Sequence, residues 1–339
     1  MTDGKLYFED FPVGTVKRAS GYHVSEEEII SFAKQFDPQP MHLDPVAAQA
    51  TMMKGLAAPG MLTCSIVMRM TFDAFLFHAV GLGAPGIDEN NWLKPVRPGM
   101  DLNLEVKVVG ARVSQSRPEM GLLTFDIALR DQTQELLLTQ YYTAFYQRRD
   151  TTPPPPEAPA PRAPKVQEPE LPRFDDERVN LTRFASRFDD VTVGARIECG
   201  SVRFTHDDIV RFAQKYDPQP FHLSDEGASH SHFGKLASSG WLTAANYVRL
   251  FVEARNRARA RGKELGLDLN PGRPSPGYRN LRWIRPVYVD DVLTYDTTVI
   301  AKEPNFRPGL GLLRHRATGT NQKGERVFSI EGSSLLSMD

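Results

Sequence analysis

The sequence has 339 residues, of which 40% are hydrophobic and 24% charged, and its formal net charge is −1. This length is too great for one small domain and fits two, and the balanced charge gives no electrostatic pull toward nucleic acid or a membrane. The opening segment MTDGKLYFEDF shows no signal peptide, and the apolar stretches fall short of a bilayer span. The two cysteines, Cys64 and Cys199, form neither a CxxC pair nor a disulfide framework. We therefore expect a cytoplasmic protein.

A short helix is the first element that the sequence predicts. Ser25 precedes the segment EEEIISFAKQF, and Glu28 follows Ser25 at the spacing of a capping box. Pro38 should end this helix, because proline disfavours the α conformation of the residue before it. A loop then runs to Gly60, after which the apolar segment 61–80 predicts a longer helix.

The segments after this helix alternate in the manner of strands. LNLEVKVVGARV, LLTFDIALR and LLLTQYYTAFYQ each place apolar residues at every second position over part of their length. A long apolar helix followed by a meander of strands is an α+β plan, in which an antiparallel β-sheet wraps around the central helix.

The next stretch of the chain is rich in proline. Residues 151–172 read TTPPPPEAPAPRAPKVQEPELP and show no apolar periodicity. Such a segment favours an extended conformation and cannot build a core. We therefore predict a linker at 150–175 between an N-terminal domain at 1–149 and a C-terminal domain at 176–339.

The sequence after the linker repeats the sequence before it. DPQPMHL (37–43) recurs as DPQPFHL (217–223), and GLAAPGMLT (55–63) recurs as KLASSGWLT (235–243). The second copy therefore predicts the same elements: a helix capped by Thr205, a long helix WLTAANYVRLFVEARNRARARG, and the strands VLTYDTTVIA, GLLRHRAT and RVFSIEGSSLLS. Two tandem repeats thus account for nearly the whole chain.

The repeated loop carries a resemblance to a known family. FDPQPMHLDPVAA and YDPQPFHLSDEGA resemble the signature loop of the MaoC-like, (R)-specific enoyl-CoA hydratase family. The resemblance implies a double hot-dog fold, in which the two repeats pair as an intramolecular pseudo-dimer. It also implies a small-molecule acyl-CoA thioester as the substrate, with no cofactor and no metal. Further assembly into a homo-oligomer is left open.

The resemblance also implies roles for particular residues. An acid–base pair can hold a water and move its protons, and N–H groups at a helix start can stabilise the enolate oxygen. The family loop usually has Asn where this sequence has Gln, so the positioning of the pair is expected to differ. The implied residues of the two copies are the catalytic pairs Asp37 with His42 and Asp217 with His222, the oxyanion glycines Gly60 and Gly240, and the loop-positioning glutamines Gln39 and Gln219.

Two rival functions and two substrate classes remain open at this point. A hot-dog thioesterase would release a free thiol, and a non-catalytic acyl-CoA binding module would bind without turnover. Both loops keep Asp and His, so we expect two sites that hydrate 2-enoyl-CoA or dehydrate 3-hydroxyacyl-CoA. Straight-chain and branched dicarboxylic acyl groups both fit the apolar helices.

A row of basic residues marks the long helix of the second copy. The residues are Arg255, Arg257, Arg259, Arg261 and Lys263. We interpret the row as a solvated helix face, with docking of CoA phosphates as the alternative.

Overall fold

The computed structural model of the protein describes residues 4–152, 170–270, 272 and 274–338. We refer to residues 4–152 as the first half and to residues 170–338 as the second half. Most of the predicted linker at 150–175 lies outside the described residues, so the linker and the domain boundaries around it stay predictions.

Apart from α5, which occurs in the second half alone among the described residues, the helices follow the same order in both halves. Those of the first half are α1 (Glu26–Phe36), α2 (Pro40–Leu43), α3 (Pro45–Gln49) and α4 (Gly60–Ala74). Those of the second half are α5 (Glu177–Leu181), α6 (His206–Tyr216), α7 (Pro220–Leu223), α8 (Asp225–Ser229) and α9 (Gly240–Glu264). Among the described residues, no helix is both long and apolar enough to cross a membrane.

Each half also contributes five strands, counted over the residues that the structure describes. The first half has β1 (Val16–His23), β2 (Gly86–Trp92), β3 (Asp101–Val113), β4 (Met120–Arg130) and β5 (Leu136–Gln147). The second half has β6 (Arg196–Arg203), β7 (Gly277–Trp283), β8 (Val292–Arg307), β9 (Leu310–Asn321) and β10 (Arg326–Ser337).

The described strands form one sheet of ten, in which the named strands pair antiparallel in the order β1-β3-β4-β5-β2-β7-β10-β9-β8-β6. The order is symmetric about the β2–β7 pair, and the registers agree between the halves. Phe125 lies opposite Tyr142 in the β4–β5 pair, and His315 lies opposite Gly332 in the β9–β10 pair. His315 is therefore the structural counterpart of Phe125, and Gly332 that of Tyr142.

Two glycines allow the halves to join at the β2–β7 pair. A Cβ atom on Gly86 would lie 1.9 Å from the carbonyl oxygen of Leu281. A Cβ atom on Gly277, the counterpart of Gly86, would lie 2.2 Å from the carbonyl oxygen of Asn90. Glycine is required at both positions because the backbones approach too closely for any side chain.

Helices also pack across the junction between the halves. Helix α4 contacts α9, and the rings of Phe36 in α1 and Phe212 in α6 lie edge to face at 5.9 Å. The Tyr216 hydroxyl donates a hydrogen bond of 3.1 Å to the carboxylate of Glu28 in the other half. One hydrophobic core includes residues of both halves. The fold is therefore the predicted α+β double hot-dog, with a long helix of each half against an antiparallel sheet.

The structure also corrects the predicted elements. Ser25 accepts a hydrogen bond from the Glu28 amide at 3.0 Å, as the cap predicts. The predicted helix over 61–80 is wrong beyond Ala74, because Phe75 leaves the helix and buries its ring against Phe11, with the ring centroids 5.5 Å apart. Strands β1, β2, β6 and β7 were not predicted, since their sequences are polar and do not alternate.

Candidate active site

The predicted acid–base pair of the first half lies together in a buried position. Asp37 follows the last residue of α1, and His42 lies in the single turn α2 that Pro40 begins. The Nε2 atom of His42 is 3.6 Å from Oδ2 of Asp37, and each residue is 5% exposed. The Nδ1 atom of His42 lies 2.7 Å from the carbonyl oxygen of Ala57. Since a carbonyl only accepts, Nδ1 carries a proton and Nε2 faces the carboxylate.

The loop of the second half repeats this geometry. His222 Nε2 is 3.5 Å from Asp217 Oδ2, and His222 Nδ1 lies 2.7 Å from the Ala237 carbonyl oxygen. The structure therefore brings together both pairs that the sequence singled out.

The two loop glutamines contact the carboxylates directly. Gln39 donates from Nε2 to Oδ1 of Asp37 at 2.7 Å, and Gln219 donates to Oδ1 of Asp217 at 2.8 Å. Each glutamine thus holds one carboxylate oxygen and leaves Oδ2 turned toward the histidine.

The two predicted glycines are the first residues of the central helices. A Cβ atom on Gly60 would lie 2.5 Å from Cζ2 of Trp92, and one on Gly240 would lie 2.3 Å from Cε2 of Trp283. The indole rings therefore require glycine there. The backbone N–H groups of a first helical turn lack partners within the helix and lie at the positive end of its dipole.

The residue before each glycine differs between the halves. Ser239 accepts a hydrogen bond from the Trp241 amide at 3.2 Å and donates one of 2.6 Å to Oδ2 of Asp217. Pro59 takes the place of this serine in the first half and makes no side-chain cap. In the first half, therefore, no capping hydroxyl forms a hydrogen bond with the first turn of α4 or with Oδ2 of Asp37.

A cavity of about 380 Å³ opens beside the first pair and reaches into the second half. Asp37, His42 and Gly60 line it from the first half, and Phe251 and Arg255 line it from α9. The second pair, Asp217 and His222, does not line this cavity, and neither does Gly240.

Aromatic rings fill the counterpart space inside the first half. The ring of Phe125 lies 6.1 Å from that of Phe75, 5.4 Å from that of Tyr142 and 6.0 Å from that of Tyr146. Desolvation raises the pKa of Tyr142, and the nearby charge of Asp217 raises it further. Tyr142 thus lies close to the second pair. The counterpart positions of the second half hold Arg255, His315, Gly332 and Leu336.

Arg255 departs from the interpretation of the basic helix as a solvated face. The residue is only 7% exposed, and its Nη2 donates a hydrogen bond of 2.8 Å to Oε1 of Gln39 across the junction. Burial lowers the pKa of Arg255, and the charge of Asp37 partly opposes this shift. The interpretation is therefore wrong for Arg255, which belongs to the first site. Sequence reasoning also missed Arg183, a second arginine that lines the cavity.

The fold and the two loops define a double hot-dog protein of one family. A family model for the MaoC like domain matches residues 8–124 and 189–268, and the chain belongs to the MaoC-like dehydratase family. The uncharacterized protein YdeM of Bacillus subtilis is 33% identical over 150 residues, which cover 44% of this chain and 98% of YdeM. Mesaconyl-CoA hydratase of Cereibacter sphaeroides is 40% identical over 53 residues, which are 16% of each chain.

Solved structures resemble the whole chain. One from Chloroflexus aurantiacus, described as a MaoC domain protein dehydratase, superposes with a TM-score of 0.75 at 19% identity and covers 100% of this chain and 99% of its own. A Mycobacterium tuberculosis protein described as having a double hotdog fold gives 0.68 at 16% identity, with 99% of both chains covered. At these identities the likeness shows the fold alone.

Proposed function

We propose that the first site reversibly hydrates 2-enoyl-CoA thioesters, with Asp37 and His42 as the acid–base pair. The observation that carries the proposal is that this pair and Gly60 line one cavity. Membership in the MaoC-like family and the short similarity to a hydratase support the same chemistry.

The geometry of the pair suits the activation of a water molecule. The Ala57 carbonyl fixes the proton of His42 on Nδ1, so that Nε2 and Asp37 Oδ2 both present lone pairs. A water held between them can lose one proton to the pair while its oxygen bonds to C3 of the substrate. A proton from the pair then goes to C2, so that the pair ends in the protonation state in which it began.

The start of α4 suits the charge that develops on the thioester oxygen. Addition at C3 makes an enolate, whose oxygen needs donors that are already in place. The Gly60 amide stands at the positive end of α4, and Pro59 offers no side chain that would compete for the N–H groups of this turn. We therefore assign the oxyanion hole to this turn.

The differences between the two halves argue against two equally active sites. In the second half, the Ser239 hydroxyl bonds to the carboxylate oxygen that faces His222. The acyl group of a substrate bound there would also meet the aromatic rings around Phe125. We therefore propose that the first site turns over, and that the second half mainly supplies the wall of its acyl cavity.

The chemical outcome of the reaction distinguishes the proposed hydratase from its rivals. Incubation with trans-2-enoyl-CoA esters should yield 3-hydroxyacyl-CoA with the thioester intact, measured by mass spectrometry and by the loss of enoyl-thioester absorbance. A parallel assay for free thiol should stay at its blank value. Release of CoA thiol would support a thioesterase instead, and tight binding of every ester without any product would support a binding module.

A further inference from the structure

The part of the cavity that lies in the second half contains a buried arginine that has no ionic partner within the described part of the chain. Arg183 is 3% exposed, and its Nη2 donates to the hydroxyl of Thr297 at 3.1 Å. Its Nε atom has no hydrogen-bond partner among the described residues, and the same is true of Nε of Arg255. Burial of an unpaired charge is costly, so such a group usually has a partner.

The charges around the cavity are unbalanced. Within the described lining of the cavity, Asp37 is the only carboxylate, whereas Arg183 and Arg255 are both buried cations. Burial lowers the pKa of Arg183 to about 10, and the charge of nearby Arg255 contributes to this shift. Arg183 stays protonated at neutral pH, so two like charges share a space of low polarity with one carboxylate.

The side chains beside Arg183 do not neutralise it. The guanidinium lies over the ring of Phe251, 5.1 Å from its centroid, and the ring of His315 is stacked with the ring of Phe251 at a centroid distance of 5.7 Å. Burial and the charge of Arg183 hold the pKa of His315 well below its usual range, so the imidazole is neutral. Its Nδ1 has no hydrogen-bond partner within the described part of the chain. The cluster therefore provides hydrogen-bond donors and positive charge, but no negatively charged group that would balance Arg183.

The sequence of the second half builds this cluster at specific positions. A Cβ atom on Gly332 would lie 2.3 Å from Nε2 of His315, so glycine there makes room for the imidazole. The counterparts of His315, Gly332 and Arg255 in the first half are all aromatic and make a closed core. Polar side chains at these positions therefore occur in the cavity beside the first pair and not in the corresponding space of the first half.

We propose that Arg183, with Arg255, binds a carboxylate on the acyl chain, so that the substrate is a dicarboxylic 2-enoyl-CoA. The proposal rests on the proposed function, because it takes the thioester to lie at Asp37 and Gly60. Guanidinium groups pair with carboxylates through strong, charge-assisted hydrogen bonds. The CoA phosphates are a poorer match, since a hydrated nucleotide needs exposed cations, whereas Arg183 is buried with its guanidinium over the rings of Phe184 and Phe251.

Matched substrates test the proposal directly. Each trans-2-enoyl-CoA of four, six and eight acyl carbons is compared with the analogue whose terminal methyl is a carboxylate, such as 2-hexenoyl-CoA with 2-hexenedioyl-CoA. We expect kcat/KM for at least one dicarboxylic ester to exceed that of its partner by about tenfold or more, as a hydrogen-bonded charge pair allows. A uniform preference for the methyl-terminated esters would overturn the proposal.

A neutral variant of Arg183 then tests whether this arginine causes the preference for dicarboxylic esters. Arg183→Met should remove about tenfold or more from kcat/KM for the dicarboxylic ester and change that of the neutral ester by less than about threefold. It should also raise the melting temperature of the free protein, because it removes an unpaired buried charge. Arg307→Gln, which removes an exposed cation from the same cavity lining, is the control and should keep the ratio of the two esters.

Binding separates this proposal from the proposed function. Calorimetry with the saturated esters adipyl-CoA and hexanoyl-CoA requires no turnover. Adipyl-CoA should bind about tenfold more tightly than hexanoyl-CoA, and Arg183→Met should abolish this difference in affinity. If this preference holds but no ester is hydrated, the proposed function fails and the carboxylate site stands. If Arg183→Met weakens free CoA as much as adipyl-CoA, the arginine binds phosphate and the carboxylate site is wrong.

Discussion

Asp37→Asn is expected to lower kcat/KM for hydration by about 10³-fold while the fold stays intact. The amide cannot accept the proton of the bound water, and it presents a donor in place of one acceptor to His42 Nε2, 3.6 Å away. The substitution is isosteric, and the bond from Gln39 to Oδ1 can persist if the remaining carbonyl oxygen faces Gln39. Steady-state hydration of the preferred 2-enoyl-CoA measures the loss, and near-ultraviolet circular dichroism checks the fold.

Asp217→Asn is the matched control for this prediction. The two carboxylates occupy equivalent positions, with Gln39 and Gln219 at 2.7 and 2.8 Å from them. We expect Asp217→Asn to keep kcat/KM within about threefold of the unmodified protein, because Ser239 and the aromatic core close the second site. If Asp37→Asn and Asp217→Asn each kept about half of the activity, both sites would be working and the proposed asymmetry would be wrong. If Asp217→Asn lost as much activity as Asp37→Asn, the second carboxylate would be required for turnover, which would also contradict the proposal.

The double substitution His315→Phe with Gly332→Tyr is expected to lower hydration by about 100-fold or more. It installs in the second half the rings that Phe125 and Tyr142 place in the first half, where their centroids lie 5.4 Å apart. Those rings would occupy the acyl cavity, and the positions face each other in identical register. The melting temperature should not fall, since large aromatic side chains replace an empty and polar space. Hydration at the unmodified rate by a folded variant would show that the acyl group lies elsewhere.

The reverse substitution, Phe125→His with Tyr142→Gly, is the control for this experiment. It replaces the phenyl ring of Phe125 by a smaller, polar imidazole and removes the ring of Tyr142 from a packed core, so we expect a loss of about 3–5 kcal/mol in the free energy of unfolding. Hydration by the first site should persist at temperatures where this variant is folded. An equal loss of activity in both double variants would indicate a general effect on the fold instead of a block at the first site.

Much of the fold could be predicted because the chain contains two copies of one sequence pattern, which can be compared with each other. The repeated DPQPxHL loops and the glycines after them identify a pair, a helix start and a duplication without any structure. The proline-ended helices and the alternating strands β3, β4 and β5 follow from local chemistry, which acts within a few residues. Strand β2 is polar and occupies the middle of the sheet only because the other half covers its edge, a long-range effect that its own sequence does not show.

The asymmetry of the two sites could not be predicted for a similar reason. Arg255 stands in a basic row that is typical of a solvated helix face, yet its partner, Gln39, lies 216 residues away in the other half. Arg183 has no motif around it, and its importance depends on the fact that, among the described residues, it forms no ion pair with a carboxylate. The position of Phe75 shows the same limit, since its ring leaves the helix to join Phe11 and Phe125.

The central claim, that the first pair is the working site, is tested most directly by a crystal structure of the Asp37→Asn variant with its 2-enoyl-CoA. We predict one ligand per chain, with the thioester oxygen about 2.7–3.1 Å from the Gly60 amide nitrogen. The unsaturated carbons should face His42, and the acyl chain should extend toward Arg183. A thioester bound at Gly240 beside His222, with the cavity of the first site empty, would contradict the account.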